Sequence, residues 1–296
     1  MFMGDMPELM EIILNNLNNE FYSLYSCSLS GATLHKLELN FFDYEINPEI
    51  FYSLGRNEQF FTRLQDLSLG LISDLNIENI TVLLKILAKN ATKINSLKLD
   101  EFYSDSEPEL FHALICIIKS QEQLRQFSLA GGEEYHKEFH SIISALESQK
   151  NSLQEVLITC CTCSTEFKVL TNCKNLEILR IEYCNNLKIL EASLNTLEVT
   201  NISIDASSIV QILQKSGTVL ERLSLVSKFR RIQEEPLLLE TLKPFCPNIT
   251  YLSIGGLGFF TQFLEFIKNL QKLQFLTLHG FEILYEPEMA SFITII

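Results

Sequence analysis

The sequence predicts an α/β solenoid of about ten units, with a curved parallel sheet lining the inside and helices outside. Three observations predict it. One phrase recurs ten times: an apolar residue, two variable ones, an apolar residue, one variable, an apolar residue. It stands at Leu34/Leu37/Leu39, Leu64/Leu67/Leu69, Ile94/Leu97/Leu99, Leu124/Phe127/Leu129, Leu153/Val156/Ile158, Leu176/Leu179/Ile181, Leu220/Leu223/Leu225, Ile249/Leu252/Ile254 and Leu273/Leu276/Leu278, with a weaker copy at Leu194/Leu197/Val199. The first residues of successive phrases lie 30, 30, 30, 29, 23, 18, 26, 29 and 24 apart, a period that marks stacked arrays. Between most phrases, apolar residues recur at helical spacing. The phrase itself does not suit a helix face. Its last two apolar residues, two positions apart, suit one face of a strand.

The chain begins with 29 residues outside this pattern. Pro7 suits the first turn of a helix and Glu8 suits the positive end of its dipole. Leu9, Ile12, Ile13 and Leu17 then fall on one stripe. A second apolar stretch runs from Phe21 to Leu29. The expected organisation is a helical segment over 1–29 and a repeat domain over 30–296.

Helices are expected after successive phrases at Pro48–Phe61, Glu78–Ala91, Pro108–Ser120, Lys137–Gln149, Ala206–Lys215 and Phe259–Leu270. Only 18 residues separate Leu176 from Leu194, too few for a strand, two turns and a full helix. The outer wall is therefore expected to thin between about 159 and 200, with short or 3₁₀ segments. Ten strands about 4.8 Å apart give a sheet roughly 43 Å across. The ending Ser291–Ile296 is apolar, whereas a terminal cap should be polar outside. It reads either as a fold-back cap or as a chain cut short.

The recurring phrase resembles that of leucine-rich repeats, over roughly residues 30 to 290. Cys161 and Cys184 each stand eight residues after the start of their phrase, which resembles the cysteine-containing subfamily. The resemblance implies that these thiols bond to turn backbone after the strand. The other copies carry different residues there, so the match is partial. Pro7, Glu8-Leu9-Met10, Ile13-Leu14 and Leu17 resemble the start of an F-box, and Leu24-Tyr25-Ser26-Cys27 its second helix. The Trp-bearing third helix of that family has no counterpart, since the chain contains no Trp. The competing reading is a plain helical cap. An F-box followed by such repeats implies a substrate receptor of an SCF-type ubiquitin ligase. Pro7, Leu9, Ile13, Leu14 and Leu17 would dock a Skp-type adaptor, weakened by the truncated motif, and the concave face would hold an unknown target protein.

Composition narrows the partners. The chain is 47% hydrophobic with net charge −14 and pI near 4.9. An acidic chain lacks the basic footprint that nucleic acid or anionic membrane requires, so neither is expected. The first ten residues carry Asp5 and Glu8 but no Lys or Arg, the reverse of a secretory signal. No long apolar run offers a transmembrane helix. Cytoplasm or nucleus is the expected location, with the eight cysteines reduced and the four sequons unmodified.

No cluster carries chemistry. His136 and His140 are spaced for a metal helix, but Lys137 stands where a zinc-protease motif has Glu. Cys160, Cys161, Cys163 and Cys173 lack the paired spacing of a zinc site. Gly255-Gly256-Leu257-Gly258 lacks the Lys-Ser/Thr of a phosphate loop and reads as a turn. Lys228-Phe229-Arg230-Arg231 is a basic loop run. His35, His112 and His279 have no sequence partner for a triad. No catalytic residue, metal or cofactor is expected. What remains is a surface: the variable residues of each phrase face outward from the sheet. Arg180, Arg222, Tyr251 and Phe275 are types that anchor interfaces, and Lys98 and His279 lie on the same face. These six form the candidate target-binding face. The reading is a non-enzymatic interaction module acting as a ligase receptor; the alternative is a scaffold or inhibitor attached to no ligase.

Overall fold

A computed structural model describes residues 33–40, 52, 55–57, 59–72, 77–102, 108–131, 139–162, 165–184, 193–202, 204, 206–227, 232, 235–257 and 260–279. The expected segment 1–29 and the ending 286–296 lie outside these residues, as does half of the expected helix at 48–61.

Each of the ten phrases forms a strand. They are β1 Lys36–Asn40, β2 Asp66–Ile72, β3 Ser96–Phe102, β4 Gln126–Gly131, β5 Glu155–Thr159, β6 Ile178–Glu182, β7 Thr196–Thr200, β8 Arg222–Val226, β9 Tyr251–Gly255 and β10 Phe275–His279. They form one parallel sheet in chain order, and equivalent phrase positions pair directly, as in Leu37↔Leu67 and Leu67↔Leu97. Strand period two explains the layering. The second and third apolar residues of each phrase from β1 to β9 are buried on one side, and the variable residues face the other. The first apolar residue, from Leu34 to Ile249, is buried as well, which turns the chain into each strand.

The outer layer follows the sequence expectation closely. Helix α1 is Ile77–Asn90, α2 Pro108–Ser120, α3 His140–Ala145, α4 Ala206–Ser216, α5 Glu235–Phe245 and α6 Phe260–Ile267. In α1, Ile77, Ile80, Leu83, Leu84 and Leu87 are the buried stripe, with Glu78 in the first turn and Lys89 in the last, where the helix dipole favours each. Pro108 opens α2, where its missing N–H costs nothing. Helices pack 8–10 Å apart while strands lie about 4.8 Å apart. The helical side must therefore be the longer one, and the sheet the concave lining.

The wall thins within the expected stretch and already before it, from about residue 140, while the connection 185–192 lies outside the described residues. After β4, α3 is two turns or less and continues as a 3₁₀ segment, Leu146–Gln149; after β5 only a 3₁₀ segment, Thr165–Asn172, remains. The turns leaving the strands here share one device. Cys160, Tyr183 and Asn201 each directly follow a strand, with φ of 54°, 52° and 58°, and Gly256 does the same after β9 with φ 81°. Each of the three non-glycine residues donates its N–H to the neighbouring unit: Cys160 to Glu182, Tyr183 to Thr200, Asn201 to Val226. A left-handed residue reverses the chain in one step.

One helix was not foreseen from the sequence. α5 carries Pro236 and Pro244, a residue type that disfavours helix interiors. Pro236 occupies the first turn, where proline fits, and Pro244 the last, where only the final turn is affected. Leu238, Leu239 and Leu242 supply the buried stripe between them. Tertiary burial outweighs local preference there.

Candidate interaction face

On the concave side, opposite charges occupy equivalent positions of adjacent strands. Direct register sets Glu155 beside Ile178, Arg180 beside Glu198, and Arg222 beside Tyr251. Spacing along the sheet then does the rest. The Nε of Arg180 donates to Oε2 of Glu198 at 3.0 Å, and the Nε of Arg222 donates to Oε1 of the same carboxylate at 2.6 Å. Arg180 also donates through Nη1 to Glu155, which accepts from Gln126 Nε2 at 3.2 Å. The Arg222 guanidinium lies 3.6 Å from the centre of the Tyr251 ring. Tyr251 is followed by Phe275, ring centres 6.5 Å apart. A bonded run thus crosses seven strands, from Gln126 on β4 to Phe275 on β10.

Its two ends differ. The Arg–Glu end is saturated: Glu198 uses both oxygens and its side chain is only 15% exposed, so the guanidinium planes are held in place. The aromatic end is open, with Phe275 62% exposed. Arg stacked on Tyr is a cation–π pair, worth about 0.5–1 kcal/mol at such exposure. Beside this run, Ser253 Oγ lies 3.0 Å from Nε2 of His279. Gly255 permits that approach, because a Cβ there would stand 2.8 Å from the Cβ of His279.

Of the six residues expected on this face, the structure connects Arg180, Arg222, Tyr251 and Phe275 directly and sets His279 alongside them. Lys98 stands apart on β3, tied to Asp100. Glu155 and Glu198, which hold the arginines, were not among the six. Their signal was available: Arg180 and Glu198 are the central variable residues of consecutive phrases. The adaptor candidates Pro7, Leu9, Ile13, Leu14 and Leu17 lie outside the described residues, as do His136, Cys163 and Lys228–Arg231.

The two phase-marked thiols are buried, and each touches backbone where its strand ends. Cys184 Sγ accepts the N–H of Cys161 at 3.4 Å and lies 3.2 Å from the carbonyl of Glu182; Cys161 Sγ lies 3.1 Å from the carbonyl of Thr159. Burial pushes the Cys173 thiol up to about 11, with the nearby Glu147 carboxylate adding to it. Burial alone pushes Cys246 up to about 12. Among the described residues, no three His, Cys, Asp or Glu side chains converge as metal ligands, and no helix is long and apolar enough to cross a membrane.

No family model matches the sequence. No curated protein matches it either. Solved structures do. An internalin from Listeria monocytogenes superposes with a TM-score of 0.51 at 13% identity, covering 87% of this chain and 71% of that one. The chain has the leucine-rich-repeat solenoid fold. At this identity the likeness extends to the fold alone. A protein from Bacteroides fragilis aligns over 85% of this chain and 71% of that one, at 13% identity and a TM-score of 0.36, too low to carry anything further.

Proposed function

We propose that this chain is a non-enzymatic protein-interaction module that holds a partner protein on its concave face, over the strip from Glu155 to His279. One observation carries the reading: the Arg180–Glu198–Arg222–Tyr251–Phe275 run. Arginine and tyrosine fixed in place by neighbours lose little freedom on binding, and an exposed aromatic beside them supplies apolar area.

The resemblance of Pro7–Leu17 to an F-box supports a finer role, substrate receptor of an SCF-type ubiquitin ligase in cytoplasm or nucleus. The N-terminal segment docks a Skp-type adaptor, the concave face presents the target for ubiquitin transfer, and this chain performs no chemistry and needs no cofactor. A stable interface buries about 1,200–2,000 Å², and half an F-box offers about half of that. Calorimetric titration of purified adaptor is expected to show micromolar or weaker binding to this chain and tight binding to a form with a complete F-box before Ser30. Ile13→Asp removes what remains. Absence of binding by both forms assigns the chain to the scaffold class instead, attached to no ligase.

A further inference from the structure

The concave face is unequally neutralised. Among the described residues, its cations are Lys36, Lys98, Arg180 and Arg222, and each has a carboxylate partner on the same face. Its acids are not all matched. Asp66 on β2 and Glu182 on β6 have no cation within ion-pair distance among the described residues. An anionic partner would meet cations that each already stand beside a carboxylate. A cationic group can approach Glu182 or Asp66 without disturbing an ion pair.

Glu182 also sits at the head of a lane. Register places Thr200, Val226, Gly255 and His279 in line with it on β7 to β10. Among the described residues, no charged side chain stands between Glu182 and His279 in this line. The wall made by Arg222, Tyr251 and Phe275 runs parallel to it, four residues or about 13 Å back along the strands. Four strand steps span roughly 19 Å, the length of about six residues of extended chain.

Resting on the concave-face reading above, we infer that the face between this lane and that wall takes an extended polypeptide segment of the partner running diagonally over about 23 Å, with a basic side chain at Glu182 and an aromatic or large aliphatic side chain against Tyr251 and Phe275. Charge complementarity sets the polarity, the uncharged lane leaves room for backbone, and the exposed ring of Phe275 supplies the apolar anchor. The Arg180–Glu198–Arg222 network, in which Glu198 uses both oxygens, serves as a rigid wall.

The test is selection of random twelve-residue peptides displayed on phage against the whole chain. Enriched peptides are expected to carry Lys or Arg and an aromatic or Leu about seven positions apart. A synthetic copy of the most enriched peptide should lose at least tenfold in affinity toward Glu182→Lys and toward Phe275→Ser. It should bind Asp66→Lys, at the far end of the sheet, as it binds the parent. Circular dichroism of each variant confirms that the fold is kept. Peptides that depend on Phe275 but are acidic or lack a cation overturn the inference and leave the concave-face reading standing. Peptides indifferent to every concave substitution overturn both. An empty selection overturns the inference alone, since a folded partner can still use the face.

Discussion

Gln149 Nε2 donates a hydrogen bond to the backbone carbonyl of Gln121 at 3.0 Å. The two glutamines hold equivalent places, each at the end of an outer-wall segment, and each reaches back into the unit before its own. Gln121 Oε1 accepts the N–H of Ile94 at 2.8 Å, and its Nε2 donates to the carbonyl of Ala91 at 2.9 Å. Gln149 Oε1 accepts the N–H of Leu124 at 3.2 Å, and its Nε2 donates to Ile118 at 2.9 Å. Both side chains are buried. Ser216 does half of this job, accepting the N–H of Leu194 at 3.0 Å. A chain entering a strand leaves polar backbone inside the core, and each such group needs a partner. Here the next unit supplies it, so stacking and backbone satisfaction become one interaction.

Gln149→Ala should therefore cost more than its lost packing. It strips the Leu124 N–H of its acceptor and two buried carbonyls of a donor, a loss of about 2–4 kcal/mol. Gln149→Leu restores volume without restoring bonds and should remain destabilised by a similar amount. Urea denaturation checks both; a Leu variant as stable as the parent would show that only volume matters at this site.

The shared carboxylate of Glu198 gives a second test. Arg180 keeps Glu155 when Glu198 is removed, whereas Arg222 keeps only the Tyr251 ring. Double-mutant cycles should give a Glu198–Arg222 coupling of about 0.5–1 kcal/mol and a smaller one for Glu198–Arg180. Both should shrink at 1 M salt, where the screening length is about 3 Å. Equal couplings would mean that Glu155 does not substitute for Glu198.

These relationships differ in how far they could be read beforehand. The strands were legible because Leu37 and Leu39 sit at the same phase as nine later pairs, including the weak copy at Leu197 and Val199. Phase alone set which side is concave, and so put Arg180, Arg222, Tyr251 and Phe275 on one face. Their connections depend on side-chain reach between units, which spacing does not contain. The role of Gln121 and Gln149 was hidden for a related reason. A polar residue ending an amphipathic stretch looks solvated until the neighbouring unit is stacked on it. α5 was missed because Pro236 and Pro244 carry a strong local signal, while the burial that overrides it is non-local.

Gly131 closes β4 against the left-handed turn of the next unit. A Cβ there would fall inside contact distance of the Cys160 carbonyl, which is backbone and fixed by the bond from Cys160 N–H to Glu182 at 3.0 Å. Gly131→Ala should destabilise by about 1–3 kcal/mol. At Gly55 the added Cβ would meet the Ile86 side chain, Cδ1 at 3.0 Å and Cγ1 at 3.2 Å, which can shift as fixed backbone cannot, so Gly55→Ala should cost less than Gly131→Ala, within about 1 kcal/mol. Thermal or urea midpoints of the two variants compare them directly.

The buried thiols give a dependence on pH whose sign follows from their environment. Cys173 and Cys246 titrate near 9 when exposed, and in the fold near 11 and 12. Burial penalises the thiolate, so the folded chain holds these protons where the unfolded chain has released them. Stability from this source is fully present below about pH 9 and is lost as pH rises through 11 to 12. Each thiol steepens the decline by at most about 1.4 kcal/mol per pH unit within that window. Cys246→Ala should lower stability at pH 7 by removing packed volume, yet flatten the decline above pH 9. The same protonation protects these sulfurs from thiolate chemistry. Iodoacetamide at pH 8 should leave Cys173 and Cys246 unmodified in the native chain and label both in urea, as read by peptide mass spectrometry. Rapid native labelling of Cys246, or an alkaline limb unchanged by Cys246→Ala, would show that its thiol is not held protonated by burial.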